Sequence, residues 1–153
     1  MWSITITTIA VTKFEIGSDL QYTENTRKWK GRPKVFHFKA NPNSYPHSDF
    51  YVGFAGRASD IIDVAEFFSR PDEIKPPRPS NNLRGAVLTA EGSIFTFEDY
   101  RKWIAIDSPY YAIGSGAEFA LGALAMGASV KEAIKVASNN DSHTGMGYKI
   151  YTL

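Results

Sequence analysis

The sequence predicts an α+β protein in which helices cover sheets of largely antiparallel strands. The first half is rich in short β-branched and aromatic runs, which are typical of strands. Apolar residues at helical spacing begin only at Ser59 and return in the last third of the chain. The final residues, 147–153, alternate again like a strand. Because strands and helices fall in separate blocks, a layered α+β arrangement is favoured over alternating βαβ units.

The N-terminal part is predicted to consist of strands and turns. Residues 3–11 are rich in Thr, Ile and Val, and residues 14–19 alternate in character, so the two segments are expected to pair as a hairpin. The polar residues 20–31 are predicted to form a loop. Two further strands are predicted at residues 34–38 and 50–54, with a proline-containing turn between them.

A first helix is predicted to begin at Ser59, the candidate N-cap, because apolar residues follow at helical spacing: Ile61, Ile62, Ala65 and Phe68. Pro71 is expected to end this helix, and the proline-rich residues 71–82 are expected to form an exposed connector. Residues 85–90 and 93–97 flank the turn Glu91-Gly92 and are predicted to form a hairpin.

The last third is predicted to hold one strand, two helices and a final strand. A short strand at residues 110–113 runs into Gly114-Ser115-Gly116, and a helix rich in small residues follows at 117–126. Ser129 and Glu132 form the capping-box pattern of a second helix. A dinucleotide-binding loop is disfavoured, because Phe119 occupies the third glycine position of that motif. The glycines are expected instead to allow a tight turn into the helix.

Composition narrows the class of protein. A chain of 153 residues is expected to form one domain, 1–153. A net charge of +1 gives no electrostatic reason to expect nucleic acid or a membrane surface as a partner. The absence of cysteine excludes disulfides and thiolate chemistry, and the three histidines lack metal-ligand spacing, so no cofactor or metal is expected. The sequence has neither a membrane-length apolar run nor a secretory signal, which predicts a cytoplasmic protein.

Four stretches together resemble one family. They are "TTIAV" with a following "SD", "KVFHF", "GFAGRASD", and "AIGSGAEFALGALAMGASVKEAIKVASNNDSHTGMGYKIY". In order and spacing they resemble proteasome β subunits and the HslV peptidase, and most closely the short proteasome-like proteins of phages and prophages. The resemblance covers almost the whole chain except the proline-rich middle.

The resemblance implies an N-terminal-nucleophile (Ntn) hydrolase fold, which is a four-layer αββα sandwich with two antiparallel sheets between helical layers. It also implies a threonine peptidase in a bacterial or phage-infected cytosol, working as a homo-oligomeric ring or stacked rings on peptides or unfolded proteins. Whether an unfolding ATPase docks on such a ring is left open. The chemistry is coherent, because a free α-amine has a pKa of about 7.7–8.0 and can take the proton of a threonine hydroxyl.

Carried over position by position, the resemblance assigns a set of catalytic residues. Thr7, the first of the Thr-Thr pair, is implied to be the nucleophile, and Asp19 is implied to orient Lys34, the lysine that lowers the proton affinity of the amine. The polar support and the oxyanion donor are implied to be Ser115, Asp141, Thr144 and the backbone N–H of Gly53. Tyr51 and Ala55 are implied to line an apolar specificity pocket.

One departure from the family pattern keeps two alternatives open. Residues 1–6 precede Thr7, and they are either a propeptide that is removed or an extension that stays uncleaved. Until they are removed, the nitrogen of Thr7 is an amide and cannot act as a base. Ser3 is the alternative nucleophile, because the interval from Ser3 to Asp19 restores the longer proteasome-type spacing. An unprocessed chain would instead be an inactive structural ring subunit, or a binding protein that modulates host proteolysis.

Overall fold

The computed structural model describes residues 4–5, 7–43, 46–80 and 82–153, with side chains from Thr7 onward. Within these residues the strands are β1 Ile4–Thr5, β2 Thr8–Thr12, β3 Glu15–Asp19, β4 Gln21–Glu24, β5 Arg27–Lys30, β6 Val35–Phe38, β7 Phe50–Arg57, β8 Arg84–Thr89, β9 Ile94–Phe97, β10 Ile104–Ala105, β11 Tyr110–Gly114 and β12 Tyr148–Thr152. The helices are α1 Ala58–Ser69, α2 Ala117–Ala125 and α3 Val130–Asn140.

The strands form two antiparallel sheets. The large sheet has the order β10-β9-β8-β7-β1-β4-β5, and β6 pairs separately with β7. The small sheet has the order β11-β2-β3-β12. The expected hairpin is confirmed for β2 and β3, with Ile9 opposite Ser18 and Val11 opposite Ile16. The single strand predicted over residues 3–11 is wrong, because Ile4–Thr5 pair in the large sheet as β1 and only Thr8–Thr12 belong to the small sheet.

The two sheets stack between helices, which confirms the αββα sandwich. On the outer face of the large sheet, Ile61 and Val64 of α1 join a cluster with Phe54 and Phe97. Between the sheets, apolar residues of both meet in a second cluster: Ile9, Val11, Ile16, Val35, Ala86 and Leu88. On the outer face of the small sheet, α2 and α3 cover a third cluster: Ala10, Ala112, Ala120, Leu124 and Ile134.

Residues 20–31 differ from the predicted loop, because they form the β4–β5 hairpin. All four residues of β5 are exposed, so the segment lacks the apolar alternation that indicates a strand. The turn depends on Asn25, whose φ of 55° lies in the left-handed region that asparagine tolerates. Across the hairpin, Tyr22 lies opposite Trp29, and their rings stack.

The starts of two helices can be compared with their predicted N-caps. The capping box of Ser129 and Glu132 is confirmed at the start of α3. The prediction of Ser59 as an N-cap is wrong, because α1 begins at Ala58 and its N-cap, Arg57, makes no side-chain capping hydrogen bond. Strand β7 continues directly into α1, and this continuity leaves no loop residue to act as a cap. No helix among the described residues is long and apolar enough to cross a membrane.

Candidate active site

The structure brings Thr7, Asp19 and Lys34 into direct contact, although they come from three separate segments. Thr7 lies just before β2, Asp19 ends β3 and Lys34 immediately precedes β6. The Thr7 hydroxyl donates to Oδ1 of Asp19, and Lys34 Nζ donates to Thr7 Oγ1 at 2.5 Å. All three residues are fully buried. The Thr7 hydroxyl therefore lies between a buried carboxylate and a buried amine.

Lys34 uses its whole hydrogen-bonding capacity inside this cluster. Besides Thr7, its Nζ contacts Asp19 Oδ1 at 3.1 Å and the carbonyl oxygen of Gln21 at 2.6 Å. An ammonium group has three donors, so the burial of Lys34 leaves none unmatched. Burial lowers the pKa of Lys34 because it disfavours the charged form, and the charge and hydrogen bond of Asp19 oppose this effect.

The Asp19 carboxylate is fixed by backbone donors from two other parts of the chain. The N–H of Thr8 donates to Oδ1 at 3.2 Å, and the N–H of Gly145 donates to Oδ2 at 3.0 Å. Gly145 belongs to the loop between α3 and β12. The carbonyl oxygen of Gly145 also accepts the N–H of Leu20 at 3.2 Å. Buried charges persist when such donors replace water, and these contacts set the orientation of the carboxylate toward Thr7.

A second polar group contains the other residues that the resemblance assigned. Asp141 Oδ2 accepts from the Ser115 hydroxyl at 2.5 Å and from the Thr144 hydroxyl at 2.6 Å. Thr144 in turn shares a 2.8 Å hydrogen bond with Oγ1 of Thr8. Burial raises the pKa of Asp141, but the hydrogen bonds from Ser115, Thr144 and the backbone of His143 outweigh it and hold the pKa below its ordinary value.

Two glycines allow the main chain of the Thr-Thr pair to approach this second group. Gly114 has a φ of 99°, and a Cβ there would overlap the carbonyl oxygen of Thr7. That carbonyl accepts the N–H of Ser115 at 2.8 Å. A Cβ on Gly116 would overlap Oγ1 of Thr8. The Gly-Ser-Gly sequence therefore positions the residues around Thr7, in keeping with the structural role predicted for it.

Three of the assigned residues lie away from this cluster. Gly53 is paired on both edges, with Val35 of β6 and Ala86 of β8, and its Cα faces Ile9 in the core between the sheets. Ala55 is buried in that same core, and Tyr51 packs against it. Alternation along β7 explains their shared direction, because every second residue points to the same face.

The structure adds contacts that the sequence did not indicate. The Gln21 carbonyl and the Gly145 N–H belong to the network around Thr7, Asp19 and Lys34, whereas the Thr8 hydroxyl bonds to Thr144 in the second polar group. Two of these three groups belong to the backbone, which carries no residue-type signal. Thr8 does carry one, since a threonine directly before the apolar residues 9–11 needs a hydrogen-bond partner once it is buried.

The segment before Thr7 occupies a strand position in the large sheet. In β1, Ile4 lies opposite both Thr23 of β4 and Arg57 of β7, and Thr5 lies opposite Gly56. The chain leading to the candidate nucleophile therefore runs antiparallel between two strands. The alternative nucleophile, Ser3, lies outside the described residues.

An apolar cavity of about 580 Å³ lies beside the cluster. Its lining includes Pro33 and Val35, the two neighbours of Lys34 in the sequence. Aromatic and aliphatic side chains complete the wall, among them Tyr22, Trp29, Phe36, Ile61 and Tyr151. A cavity of this size and character is typical of a site for an apolar ligand group.

The two stacked antiparallel sheets between helices define a fold class, the proteasome-type N-terminal-nucleophile fold. Solved structures of this class match over nearly the whole chain. BPH of Thiobacillus denitrificans in complex with epoxomicin has a TM-score of 0.71 and 17% identity, covering 96% of this chain and 97% of that one. The eukaryotic HslV of Trypanosoma brucei has a TM-score of 0.67 and 19% identity, covering 95% and 98%.

The Anbu complex of Pseudomonas aeruginosa, solved as a helical assembly, matches with a TM-score of 0.67 and 10% identity, covering 95% of this chain and 80% of that one. Compared by sequence, the chain matches no protein-family model and no curated protein. The proteasome β- and HslV-like fold expected from the sequence is therefore confirmed by structure, at identities that carry the fold alone.

Proposed function

We propose that this chain is a proteasome-like threonine peptidase subunit, which hydrolyses peptide bonds with Thr7 after removal of residues 1–6. One observation carries the proposal: the Thr7 hydroxyl contacts both Lys34 Nζ and the Asp19 carboxylate inside a fully buried cluster. A hydroxyl becomes an effective nucleophile when a neighbouring group accepts its proton and charged groups stabilise the oxyanion.

Removal of residues 1–6 would supply the missing base. The nitrogen of Thr7 would change from an amide into an amine, which can accept the hydroxyl proton and return it to the leaving group. Lys34 donates to Oγ1 and would stabilise the developing alkoxide, while Asp19 holds Lys34 in place. Ser115, whose hydroxyl is bonded to Asp141, would stand beside the new amine through its N–H contact with the Thr7 carbonyl.

The same removal would free a binding position for the substrate backbone. Without β1, the edges of β4 at Thr23 and of β7 at Gly56 would lose their strand partner. An extended peptide can pair with such edges through its main chain. In this proposal Gly56 replaces Gly53 as the donor to the oxyanion, because Gly53 is already paired on both sides by β6 and β8.

The apolar cavity beside Lys34 supports a preference for a large apolar side chain next to the cleaved bond. It takes the role that the resemblance gave to Tyr51 and Ala55, which face the core between the sheets. Arg32 is the charged residue of its lining. We therefore expect peptides with an aromatic or large aliphatic residue at this position to be cleaved faster than peptides with an acidic one.

The peptidase is proposed to work as a cytosolic homo-oligomer. Phe119 of α2 and Met126, which directly follows this helix, are exposed, the latter at 89% of its maximal area, and α2 also contains Gly122 and other small residues. Exposed apolar side chains on a helix of small residues favour close packing against another subunit. Sedimentation of the purified chain would distinguish a closed ring from an open assembly like the helical Anbu complex. The same measurement with an unfolding ATPase added would test that ATPase as a partner.

The test is a chain that begins at Thr7, released from a fusion protein, and assayed with fluorogenic peptides. It should hydrolyse them, and Thr7→Ala should abolish the activity. Thr152→Ala is the matched control, because Thr152 is an exposed threonine on β12. A parallel chain beginning at Ser3 separates the two candidate nucleophiles. If the Thr7 chain folds but cleaves nothing, the peptidase proposal is rejected.

A specific observation favours the alternative function, an inactive subunit or a binding protein that modulates host proteolysis. Residues Ile4–Thr5 are integrated into the large sheet and hold the position that a substrate would need. Intact mass of the purified full-length chain distinguishes the two. Loss of residues 1–6 supports the peptidase, whereas a full-length mass with no hydrolysis supports the alternative.

A further inference from the structure

Tyr22 lies against the Lys34 ammonium without belonging to the hydrogen-bonded cluster. Lys34 Nζ is 5.1 Å from the centroid of the Tyr22 ring. A cation at this distance from an aromatic face is attracted by the negative charge of the ring surface. The side chain of Lys34 is fully buried. The Tyr22 ring covers the ammonium on a side that faces neither Thr7 nor Asp19.

Three neighbours fix the Tyr22 ring in this place. The Trp29 ring stacks on it at 6.0 Å with an interplanar angle of 20°. The Tyr22 hydroxyl donates to the carbonyl oxygen of Arg32 at 3.1 Å. A Cβ on Gly31 would overlap the ring, so the absence of a side chain at Gly31 is what makes room for it.

The ring also separates Lys34 from the apolar cavity. Tyr22, Trp29 and Gly31 all line that cavity, while Lys34 itself is not part of the lining. Tyr22 therefore contacts the buried ammonium and is at the same time part of the cavity wall.

We propose that Tyr22 is a positioning residue for Lys34: its ring face holds the ammonium in contact with Thr7 and Asp19 and shields it from the cavity. The role as a positioning residue rests on the proposed peptidase function, whereas the contact itself does not. Burial and the nearby Asp19 raise the pKa of Tyr22, so its phenol is neutral at neutral pH and the attraction comes from the ring face.

The sign of the effect follows from the groups that surround Lys34. The carboxylate of Asp19 on β3 and the ring of Tyr22 on β4 both favour the charged ammonium. Arg32, whose backbone carbonyl accepts the Tyr22 hydroxyl, is a cation close enough to lower the pKa of that phenol. The loop before β12 contributes the neutral N–H of Gly145 to Asp19. Replacing the ring with an aliphatic side chain of similar size removes one favourable contact without admitting water, so the pKa of Lys34 should fall.

The test is NMR titration of Lys34 in the full-length chain, labelled with ¹³C and ¹⁵N at lysine and assigned by the signal lost in Lys34→Arg. Tyr22→Leu should weaken proton binding by Lys34 roughly three- to thirtyfold. Tyr22→Phe, which keeps the ring, should stay within about twofold of the parent chain. Gly31→Ala should weaken proton binding in the same direction, because it displaces the ring without altering it.

The proposal is overturned if the pKa of Lys34 is unchanged or raised in folded Tyr22→Leu, or in Gly31→Ala should Tyr22→Leu fail to fold. No substrate is needed, so a Thr7-initiated chain without activity rejects the peptidase proposal and leaves this result standing. In an active Thr7-initiated chain, Tyr22→Leu should lower kcat and shift the pH profile. Tyr22→Phe should keep both kcat and the pH profile close to those of the parent chain.

Discussion

Lys34→Met tests whether the buried cluster has the energetics that its geometry indicates. Methionine keeps most of the apolar stem, so the change removes the ion pair and the Nζ hydrogen bonds with little loss of packing. Asp19 would then be a buried carboxylate without a cation, and the Gln21 carbonyl would lose its 2.6 Å donor. Removing one partner of a buried ion pair typically costs about 3–5 kcal/mol.

The structure places this cost at the lower end of the range. Asp19 keeps three donors in the variant: the hydroxyl of Thr7 and the N–H groups of Thr8 and Gly145. We therefore expect a loss of about 3 kcal/mol in the free energy of unfolding. For a domain of this size, that corresponds to a fall in Tm of roughly 6–12 °C.

The assay is urea unfolding of the full-length chain at neutral pH, as a double-mutant cycle with Asp19→Asn. The double variant has neither buried charge, so it should be more stable than the sum of the single losses predicts, by about 1–3 kcal/mol. Lys75→Met, at an exposed lysine, is the matched control and should change stability by less than about 0.5 kcal/mol. A Lys34→Met loss below about 1 kcal/mol, with additive single changes, would refute the buried ion pair.

Three further predictions concern the surroundings of the cluster. Gly116→Ala should separate Thr8 from Thr144, because the new Cβ overlaps Thr8 Oγ1. Peptide hydrolysis by a Thr7-initiated chain should then fall at least tenfold, which corresponds to a rise of about 1.4 kcal/mol in the activation free energy. Unchanged kinetics would contradict this prediction. The lowered pKa of Asp141 stabilises the fold at neutral pH, and this contribution should disappear as the pH falls below about 4. Urea midpoints of Asp141→Asn should therefore depend less on pH between about 3 and 5 than those of the parent chain. Ser129→Ala should cost about 1 kcal/mol in thermal unfolding, because it removes the capping box of α3, and a loss near zero would count against that cap.

The fold was predictable because its elements carry local signals. The β2–β3 hairpin follows from runs of β-branched residues, and the start of α3 follows from the spacing of Ser129 and Glu132. The β4–β5 hairpin was missed because its outer strand is wholly exposed and so has no apolar period. Such a strand is stabilised by pairing with its neighbour in the sheet, and this pairing cannot be inferred from the composition of the strand.

The candidate site was predictable to the extent that side chains carry it. Thr7, Asp19 and Lys34 were assigned by resemblance, and the structure brings their side chains together. Gly53 and Ala55 were assigned from their positions along β7, where a shift of one residue moves a side chain to the opposite face of the sheet. Both residues lie in or against the core between the sheets.

The short strand β1 has a mechanical consequence for the whole large sheet. It alone links the β4–β5 hairpin to β7 in the strand order, since β4 pairs with β1 and β5 among the described strands. Cutting the chain before Thr7 and losing β1 would divide this sheet into two parts. The hairpin would then be held by contacts outside the sheet, among them the hydrogen bonds of Gln21 with Lys34 and Ser142 and that of Lys28 with Ser142. A peptide bound between the two parts would restore the continuity of the sheet, so the order of the hairpin and the occupancy of the site would rise and fall together.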